Sequence, residues 1–276
     1  MDNITNSTDI DLKEFAKRLR ISAIKMTHFG KSSHVGSILS IADILAVLYQ
    51  RVLNFDPKYP KLESRDRFIL SKGHAGAGVY AALAQVGFFC KSELNNHCKD
   101  GSNLSGHISH KNIPGVELST GSLGHGLPVS AGIALASKLK RKNYKTFVLM
   151  SDGECDEGSN WEAALFSAHH KLNNLVAIID YNKLQSIKST EETLGLEPFG
   201  AKWKSFGWEV FEVDGHNHND LIKVLSFDSI NAKKPRCIIA HTIKGCGVSF
   251  MENKVLWHYR SPQGEEYKEA ISELED

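Results

Sequence analysis

The residues best suited to chemistry follow three short apolar runs that have the composition of buried strands. The three polar segments are residues 151–154 (SDGE), 180–183 (DYNK) and 241–245 (HTIKG). In an open parallel sheet, ligands bind beyond the carboxyl ends of the strands. If the first two strands are neighbours, about 4.8 Å apart, Asp152 and Asn182 face the same crevice. A carboxylate and an amide oxygen suit Mg²⁺, which completes its octahedron with water and phosphate, so the pattern predicts half of a metal-diphosphate site.

Histidines form a second group of residues that could act in binding or catalysis. Of the 13 histidines, six lie in segments rich in glycine and serine, namely His34, His74, His107, His110, His125 and His258. A lone histidine in a loop is usually only solvated, but the shared context of these six favours a common site. Imidazole can donate or accept a proton near neutral pH, which suits it to catalysis.

Alternating helices and strands predict the frame that positions these residues. Near-continuous apolar strands separated by helices are typical of a parallel sheet covered on both faces. We therefore predict a doubly wound α/β fold as one domain over residues 1–276, with a helical start at 10–55 and a tail at 249–276. The expected strands are 67–71, 146–150, 175–180, 209–213 and 237–241, and the expected helices are 12–29, 41–52, 75–86, 160–171, 199–206 and 219–227.

Local signals predict the ends of several helices. Asp9 or Asp11 is expected to cap the first helix and Gly30 to end it, while Ser40 is expected to cap the second. Residues 100–126 are rich in glycine and lack periodicity. A loop of that length in a compact domain is usually functional or mobile.

Composition excludes several classes of protein. A chain that is 41% hydrophobic and 24% charged is neither disordered nor collagen-like. Lys plus Arg (33) nearly balances Asp plus Glu (32), so we expect no nucleic-acid partner. The sequence contains no apolar stretch of membrane-spanning length and no export signal. Five cysteines without CxxC spacing favour a reducing compartment, and we predict a cytoplasmic protein.

The segment from Asp152 to Asn182 resembles the thiamine diphosphate motif, whose usual form is GDG followed by asparagine after one helix and strand. Ser151 stands at the first glycine of that pattern. Taken alone, Asp-Gly is a turn signal, but a complete crossover helix separates the two positions. Further segments resemble the N-terminal, diphosphate-binding half of transketolase over residues 25–258, among them DRFILSKGHA, GSLGHGLPVSAGIALA and IKGCGVSFMENKVLWH.

The resemblance implies a cofactor and a role for individual residues. The cofactor would be thiamine diphosphate with Mg²⁺, for which Ca²⁺ or Mn²⁺ can substitute. The implied metal ligands are Asp152, Asn182 and the backbone carbonyl of Leu184. The implied cofactor contacts are His74, Gly121, Ser122, Leu123, Gly124, Gly153, Glu154, Asn182, Lys244 and His258. The histidines implied to line the sugar channel and to act in catalysis are His34, His74, His107 and His258.

The resemblance also implies a separate partner chain. In transketolase, the middle domain supplies the glutamate that activates the cofactor and the residues that bind its pyrimidine ring. This sequence stops at Asp276, so we expect a second chain with the pyrimidine domain and a C-terminal domain, in an α2β2 assembly. Glu157 and residues 100–126 are expected near the contacts between subunits, with the loop poorly ordered until partner and cofactor bind.

These implications predict the diphosphate-binding subunit of a two-component transketolase, which moves a two-carbon ketol unit from a ketose to an aldose. The substrates would be sugars or sugar phosphates. Two alternatives stay open: the α-subunit of a 2-oxo acid dehydrogenase or another thiamine enzyme, and a noncatalytic regulatory module that binds Mg²⁺ and diphosphate. The histidines argue against the first, since a small 2-oxo acid has few hydroxyl groups to bind. Tyr259, where related chains commonly have glycine, and residues 187–193 depart from the usual sequence, so sugar fit is expected to differ.

Overall fold

Five parallel strands form the centre of the fold. The computed structural model describes residues 11–226 and 233–275. Within these residues the strands are β1 (Arg67–Leu70), β2 (Thr146–Ser151), β3 (Leu175–Tyr181), β4 (Glu209–Asp214) and β5 (Arg236–His241). Their order in the sheet is β1-β2-β3-β5-β4, and every neighbouring pair is parallel. The predicted α/β class is confirmed, and each predicted strand is present with one end shifted by a single residue.

Helices cover both faces of this sheet. They are α1 (Leu12–Gly30), α2 (Val35–Leu39), α3 (Ala42–Val47), α4 (Gly76–Gln85), α5 (Gly126–Leu139), α6 (Gly158–His169), α7 (Thr190–Thr193), α8 (Phe199–Ser205), α9 (His218–Leu225) and α10 (Glu265–Glu275). Successive strand residues point to opposite faces: Phe147 belongs to the core beneath α1 to α4, and Val148 to the core beneath α5, α6 and α8. None of the helices in the described parts of the chain is long and apolar enough to cross a membrane.

The register of the sheet brings the polar strand ends together. Ser151 at the end of β2 pairs with Asp180 of β3, and Tyr181 pairs with His241 of β5. The prediction that the strands before Asp152 and Asn182 are neighbours in the sheet is therefore confirmed. The segments that follow β2, β3 and β5 leave the sheet at the same edge.

The end of α1 differs from the prediction. Gly30 is the last helical residue, and Lys31 takes the left-handed conformation, with φ of 47°, that we expected of the glycine. A Cβ on Gly30 would lie 2.7 Å from the carbonyl oxygen of His97, so the glycine permits close packing. Asp11 occupies the N-cap position without a side-chain hydrogen bond, and Asp9 lies outside the described residues.

The second predicted helix, 41–52, is present as α3 followed without a break by a π-helical turn at Leu48–Val52, but its N-cap is Ile41 and not Ser40. Ser40 lies between α2 and α3, and its hydroxyl donates to the carbonyl of Ser37 (3.1 Å) and to the carboxylate of Asp180 (2.7 Å). A buried carboxylate, invisible to local sequence signals, thus engages the residue that we expected to be a cap.

Besides the short helices α2 and α7, two longer helices were not predicted. The sequence of α5 is rich in alanine, glycine and serine, which leaves little hydrophobic periodicity to detect. The other, α10, lies in the predicted tail and packs on α1, where the ring of Tyr267 stacks on His28 at 3.9 Å between centroids. Residues 100–125 contain no helix or strand, as expected. Phe227, the predicted end of α9, and Asp276 lie outside the described residues.

Candidate active site

A cavity of about 120 Å³ opens at the carboxyl edge of the sheet. The residues predicted for chemistry that line it are His74, Leu123, Asp152, Gly153, Glu154, Asn182, Leu184, Lys244 and His258. A larger hollow of about 420 Å³ lies between Phe89 and Pro114 and contains none of these residues. We place the site in the smaller cavity because it concentrates the charged groups and strand ends.

The three expected metal ligands are tied to one another by backbone hydrogen bonds. Asp152 is 1% exposed, and its two oxygens accept from the amides of Gly153 (2.7 Å) and Lys183 (2.6 Å). Asn182 Oδ1 accepts from the amide of Leu184 (3.1 Å). Burial, followed by the nearby charge of Asp180, raises the pKa of Asp152 to about 7. A cation beside this carboxylate would favour its ionised form.

The surroundings of these oxygens fit a divalent cation that bridges to an anion. The carbonyls of Leu184 and Gln185 both accept from Lys244 Nζ at 3.0 Å, and a carbonyl oxygen has a second lone pair for a cation. A Cβ on Gly153 would lie 2.8 Å from the Gln185 side chain, so a larger residue would crowd the turn beside Asp152. Carboxylate, amide and carbonyl oxygens are the hard ligands that Mg²⁺ prefers.

A buried ion pair that the sequence did not predict supports this site. The ammonium of Lys72 donates to Asp180, whose carboxylate also accepts from Asn182 Nδ2 (3.1 Å) and from the hydroxyls of Ser40 (2.7 Å) and Thr242. Although burial acts to raise it, the ammonium of Lys72 holds the pKa of Asp180 below its ordinary value. The available signal was the position of Lys72, which almost directly follows the apolar strand β1.

Breaking this pair should destabilise the fold strongly. Lys72→Met leaves a buried carboxylate without its cation, and we expect the free energy of unfolding to fall by about 3–5 kcal/mol. Urea unfolding followed by circular dichroism measures the change. Lys142→Met is the control, because it removes an exposed pair with Glu63 and should have little effect. Equal effects of the two substitutions would contradict the stabilising role of Lys72.

The four histidines implied in catalysis come together at the rim of the cavity. The ring centroid of His34 lies 5.1 Å from His74, 5.4 Å from His107 and 4.9 Å from His258. The backbone amide of His34, in a left-handed conformation with φ of 73°, donates to the carbonyl of His258 at 2.8 Å. The amide of Ile108 donates to the carbonyl of Gly73 at 2.9 Å, which anchors the long loop beside His74.

His34, His74 and His258 are neutral at pH 7. Burial, together with the charges of His107 and Lys244, lowers the pKa of His34 to about 4. Burial and the charge of Lys244 lower the pKa of His258 to about 3, and burial lowers that of His74 well below its ordinary value. His258 Nδ1 lies 3.1 Å from Lys244 Nζ, where a neutral imidazole accepts. Each neutral ring can therefore donate through one nitrogen and accept through the other.

The turn at residues 121–124 contributes less directly than we expected. Only Leu123 of this turn lines the cavity, while Ser122 is exposed and Gly121 lies against the ring of His107. The amide of Gly124 donates to the carboxylate of Glu154 at 2.9 Å. Glu154 also accepts from the hydroxyl of Ser71 and the amide of Ser151, so its oxygens hold the turn in place.

A second network, also absent from the sequence predictions, fixes the segment that carries Lys244. Asp43 of α3 accepts from His216 Nδ1 and His218 Nε2, both at 2.8 Å, and from Arg20 of α1. The other nitrogen of His216 accepts from the amide of Ile243 at 2.9 Å. Because Ile243 directly precedes Lys244, this chain of bonds sets the backbone from which Lys244 reaches the cavity.

The chain is similar to known proteins over nearly all its length. Residues 12–273 match the family described as "Transketolase, thiamine diphosphate binding domain". An apulose-4-phosphate transketolase subunit from Phocaeicola vulgatus is 41% identical over 97% of this chain and 94% of its own length. A 6-deoxy-6-sulfo-D-fructose transketolase subunit from a Clostridium species is 39% identical over 96% of this chain and 97% of its own.

Solved structures resemble the chain over the same extent. The transketolase of Campylobacter jejuni superposes with a TM-score of 0.88 at 31% identity. That comparison covers 99% of this chain but only 43% of the longer protein. The chain therefore spans about two fifths of the length of this solved structure, whereas it matches the two bacterial subunits almost from end to end.

Proposed function

The chain belongs to the transketolase family, and on that premise we propose that it is the diphosphate-binding subunit of a two-component transketolase. With its partner it moves a two-carbon ketol unit from a ketose to an aldose. The observation that carries this proposal is the meeting of Asp152, Asn182, Lys244, His74 and His258 in one cavity at the sheet edge. Relatives of nearly equal length that are named as transketolase subunits support it.

Thiamine diphosphate supplies, when bound, a nucleophilic thiazolium carbon that carries the ketol unit. We propose that Asp152, Asn182 and the carbonyl of Leu184 hold a Mg²⁺ ion against its diphosphate. Lys72 and Lys244 both reach this cavity, and Lys72 is paired with Asp180. Burial followed by the charge of Lys72 lowers the pKa of Lys244 to about 8. An anion beside Lys244 would keep this ammonium protonated.

Glu154 contributes to the site by holding the turn at residues 121–124 in place. A carboxylate is a poor neighbour for a diphosphate, and the oxygens of Glu154 are already occupied by Ser71, Gly124 and Ser151. We propose that Glu154 holds Leu123 at the cavity wall and does not contact the diphosphate. The role assigned to Glu154 is thereby changed from cofactor contact to support.

The histidines bind the sugar and move its protons. His34, His74 and His258 are neutral. Nδ1 of His258 already accepts from Lys244, and Nδ1 of His34 is paired with the hydroxyl of Ser33, so each of these two rings offers its other nitrogen to a sugar hydroxyl. A sugar has several hydroxyls within reach of such a cluster, whereas a small 2-oxo acid has few. The relatives are likewise named transketolases, so a 2-oxo acid dehydrogenase component is not favoured.

The partner is a separate chain with a pyrimidine domain and a C-terminal domain, and we propose an α2β2 assembly. A cavity of about 120 Å³ suits the diphosphate end of the cofactor. The remaining part of the cofactor would bind to a surface of the second chain. Two apolar side chains on α5 and α6 are exposed to solvent: Leu139 is 74% exposed and Leu165 is 61% exposed. Such side chains suit a contact between subunits, and Glu157 is exposed directly before α6.

Ketol transfer by the assembled enzyme tests the proposal. The chain and its partner would be copurified with thiamine diphosphate and Mg²⁺. Donors to screen are xylulose 5-phosphate, fructose 6-phosphate, apulose 4-phosphate and 6-deoxy-6-sulfo-D-fructose. The acceptor is glyceraldehyde 3-phosphate labelled with carbon-13, so that mass spectrometry detects the labelled product even when donor and product are the same sugar phosphate. Tight cofactor binding without turnover on any donor would favour a regulatory module instead.

Single histidine substitutions should separate sugar contacts from cofactor contacts. We expect His34→Ala and His107→Ala each to lower kcat/KM by about 10-fold, the effect of losing one hydrogen bond of about 1.4 kcal/mol. The affinity for thiamine diphosphate, measured by calorimetry, should stay within about twofold because neither residue lines the cavity. His110→Ala, an exposed position of the same loop, is the control. A parallel loss of cofactor affinity would assign the residue to the diphosphate.

A further inference from the structure

An exposed aromatic ring borders the histidine cluster. The side chain of Tyr259 is 63% exposed. Its ring centroid lies 4.9 Å from that of His258 and 6.4 Å from that of His34. His258 lines the cavity, whereas Tyr259 does not, so the ring lies beside the histidines and outside the cavity lining.

The backbone on both sides of this ring is firmly held. Residues Val255–His258 form a 3₁₀ turn, and the amides of Tyr259 and Arg260 both donate to the carbonyl of Leu256 at 3.3 Å. Further along, His28 Nδ1 of α1 bonds to the carbonyl of Pro262 at 2.9 Å. The ring therefore projects from a fixed segment, which makes it a defined wall.

The neighbouring charged side chain is already engaged. The guanidinium of Arg260 makes a bidentate contact with Glu266, at 2.6 and 2.7 Å, and lies 5.2 Å from the ring centroid of Trp257. Arg260 thus has its charge paired within the C-terminal segment. The surface that Tyr259 offers beside His34 and His258 is an exposed aromatic ring.

We propose that Tyr259 is a specificity-determining residue that packs against the carbon chain of the sugar beyond the transferred ketol unit. Histidines hydrogen-bond the hydroxyls on one side of such a chain, while an aromatic face suits its C–H groups and excludes water. The inference rests on the proposed ketol transfer and extends it to the part of the substrate that does not react. Because this contact is the same before and during the reaction, it affects KM more than kcat.

Steady-state kinetics of the assembled enzyme test the assignment. With whichever of the four named donors turns over fastest, Tyr259→Ala should raise the KM for that donor by about 3- to 10-fold, as expected for one aromatic contact. The value of kcat and the affinity for thiamine diphosphate should stay within about twofold. Tyr259→Phe should behave like the wild type, since the ring face makes the contact. Tyr59→Ala is a matched control at a tyrosine that is 64% exposed, and it should change nothing.

The outcomes separate this inference from the proposed function. If the wild-type assembly turns over and Tyr259→Ala leaves KM unchanged, or if Tyr259→Phe is as defective as Tyr259→Ala, the inference is overturned. Weaker association with the partner in analytical ultracentrifugation, without a change in KM, would make Tyr259 a partner contact and overturn it as well. If the wild-type assembly transfers no ketol unit from any donor, the proposed function fails, and the inference falls with it.

Discussion

Asp152→Ala should abolish the Mg²⁺-dependent binding of thiamine diphosphate. Asp152 is the charged member of the proposed ligand set, and it is buried at the end of β2. Mg²⁺ binds through few protein oxygens, and it links those oxygens to a diphosphate that is itself strongly negative. Without the carboxylate, the ion loses its main protein attraction and the diphosphate loses the ion. Isothermal titration calorimetry with and without Mg²⁺ measures the loss.

Two further variants separate charge from structure. The alanine substitution also strips acceptors from the amides of Gly153 and Lys183, and an unsatisfied buried donor costs about 1–3 kcal/mol. Asp152→Asn keeps the shape and one of the two acceptors but removes the charge. It should therefore fold with a loss of at most about 1–3 kcal/mol and still lose at least about 100-fold in Mg²⁺-dependent affinity. Asn182→Ala should weaken binding less, since an amide oxygen carries no net charge.

The control is the removal of a surface charge at the end of β4. Asp214→Asn removes an exposed negative charge at the end of β4, on the same edge of the sheet, while its amide oxygen can still accept from the backbone amide of His216, so it should leave cofactor affinity unchanged. Circular dichroism of each variant checks that the fold is intact. Unchanged cofactor affinity in a well-folded Asp152→Asn protein would overturn the metal assignment.

The ligand pair was predictable because sheet geometry is periodic. Asn182 follows Asp152 by 30 residues, which is the length of one crossover helix and the strand after it. Parallel neighbours in register bring their ends to the same edge, so Ser151 pairs with Asp180 and the polar residues after them must meet. The strands themselves were visible as continuous apolar runs, as is usual for a parallel sheet that is covered on both faces.

The supporting shell was not predictable because it joins residues that are distant in the sequence. Lys72 pairs with Asp180 across 108 positions, and His216 with Asp43 across 173. Lys72 and Asp180 each lie at or just after the end of an apolar strand, but no local pattern shows that they pair. His216 and Asp43 look like ordinary polar residues of a loop and a helix. Ser40 is a further case in which local sequence does not show a distant contact. Its local sequence indicates a cap, but its hydroxyl donates to the buried carboxylate of Asp180.

The isolated chain should show no ketol transfer, and addition of the partner chain should restore it. Activation of thiamine diphosphate requires a carboxylate that protonates the aminopyrimidine ring. The carboxylates that line the cavity are Asp152 and Glu154. The first is assigned to the metal, and the second is engaged by Ser71, Gly124 and Ser151. Neither is free to face a pyrimidine, so the proposed partner must supply that group.

The measurement is turnover at increasing ratios of partner to chain, with saturating thiamine diphosphate and Mg²⁺. Activity should rise from the background and reach a plateau at equal amounts of the two chains, as α2β2 requires. Asp152→Asn mixed with the same partner should stay at the background, which excludes a contaminating transketolase as the source of turnover. Steady turnover by the purified wild-type chain alone, absent in the purified Asp152→Asn chain, would mean that the activating carboxylate lies within these 276 residues, and the two-component proposal would be wrong.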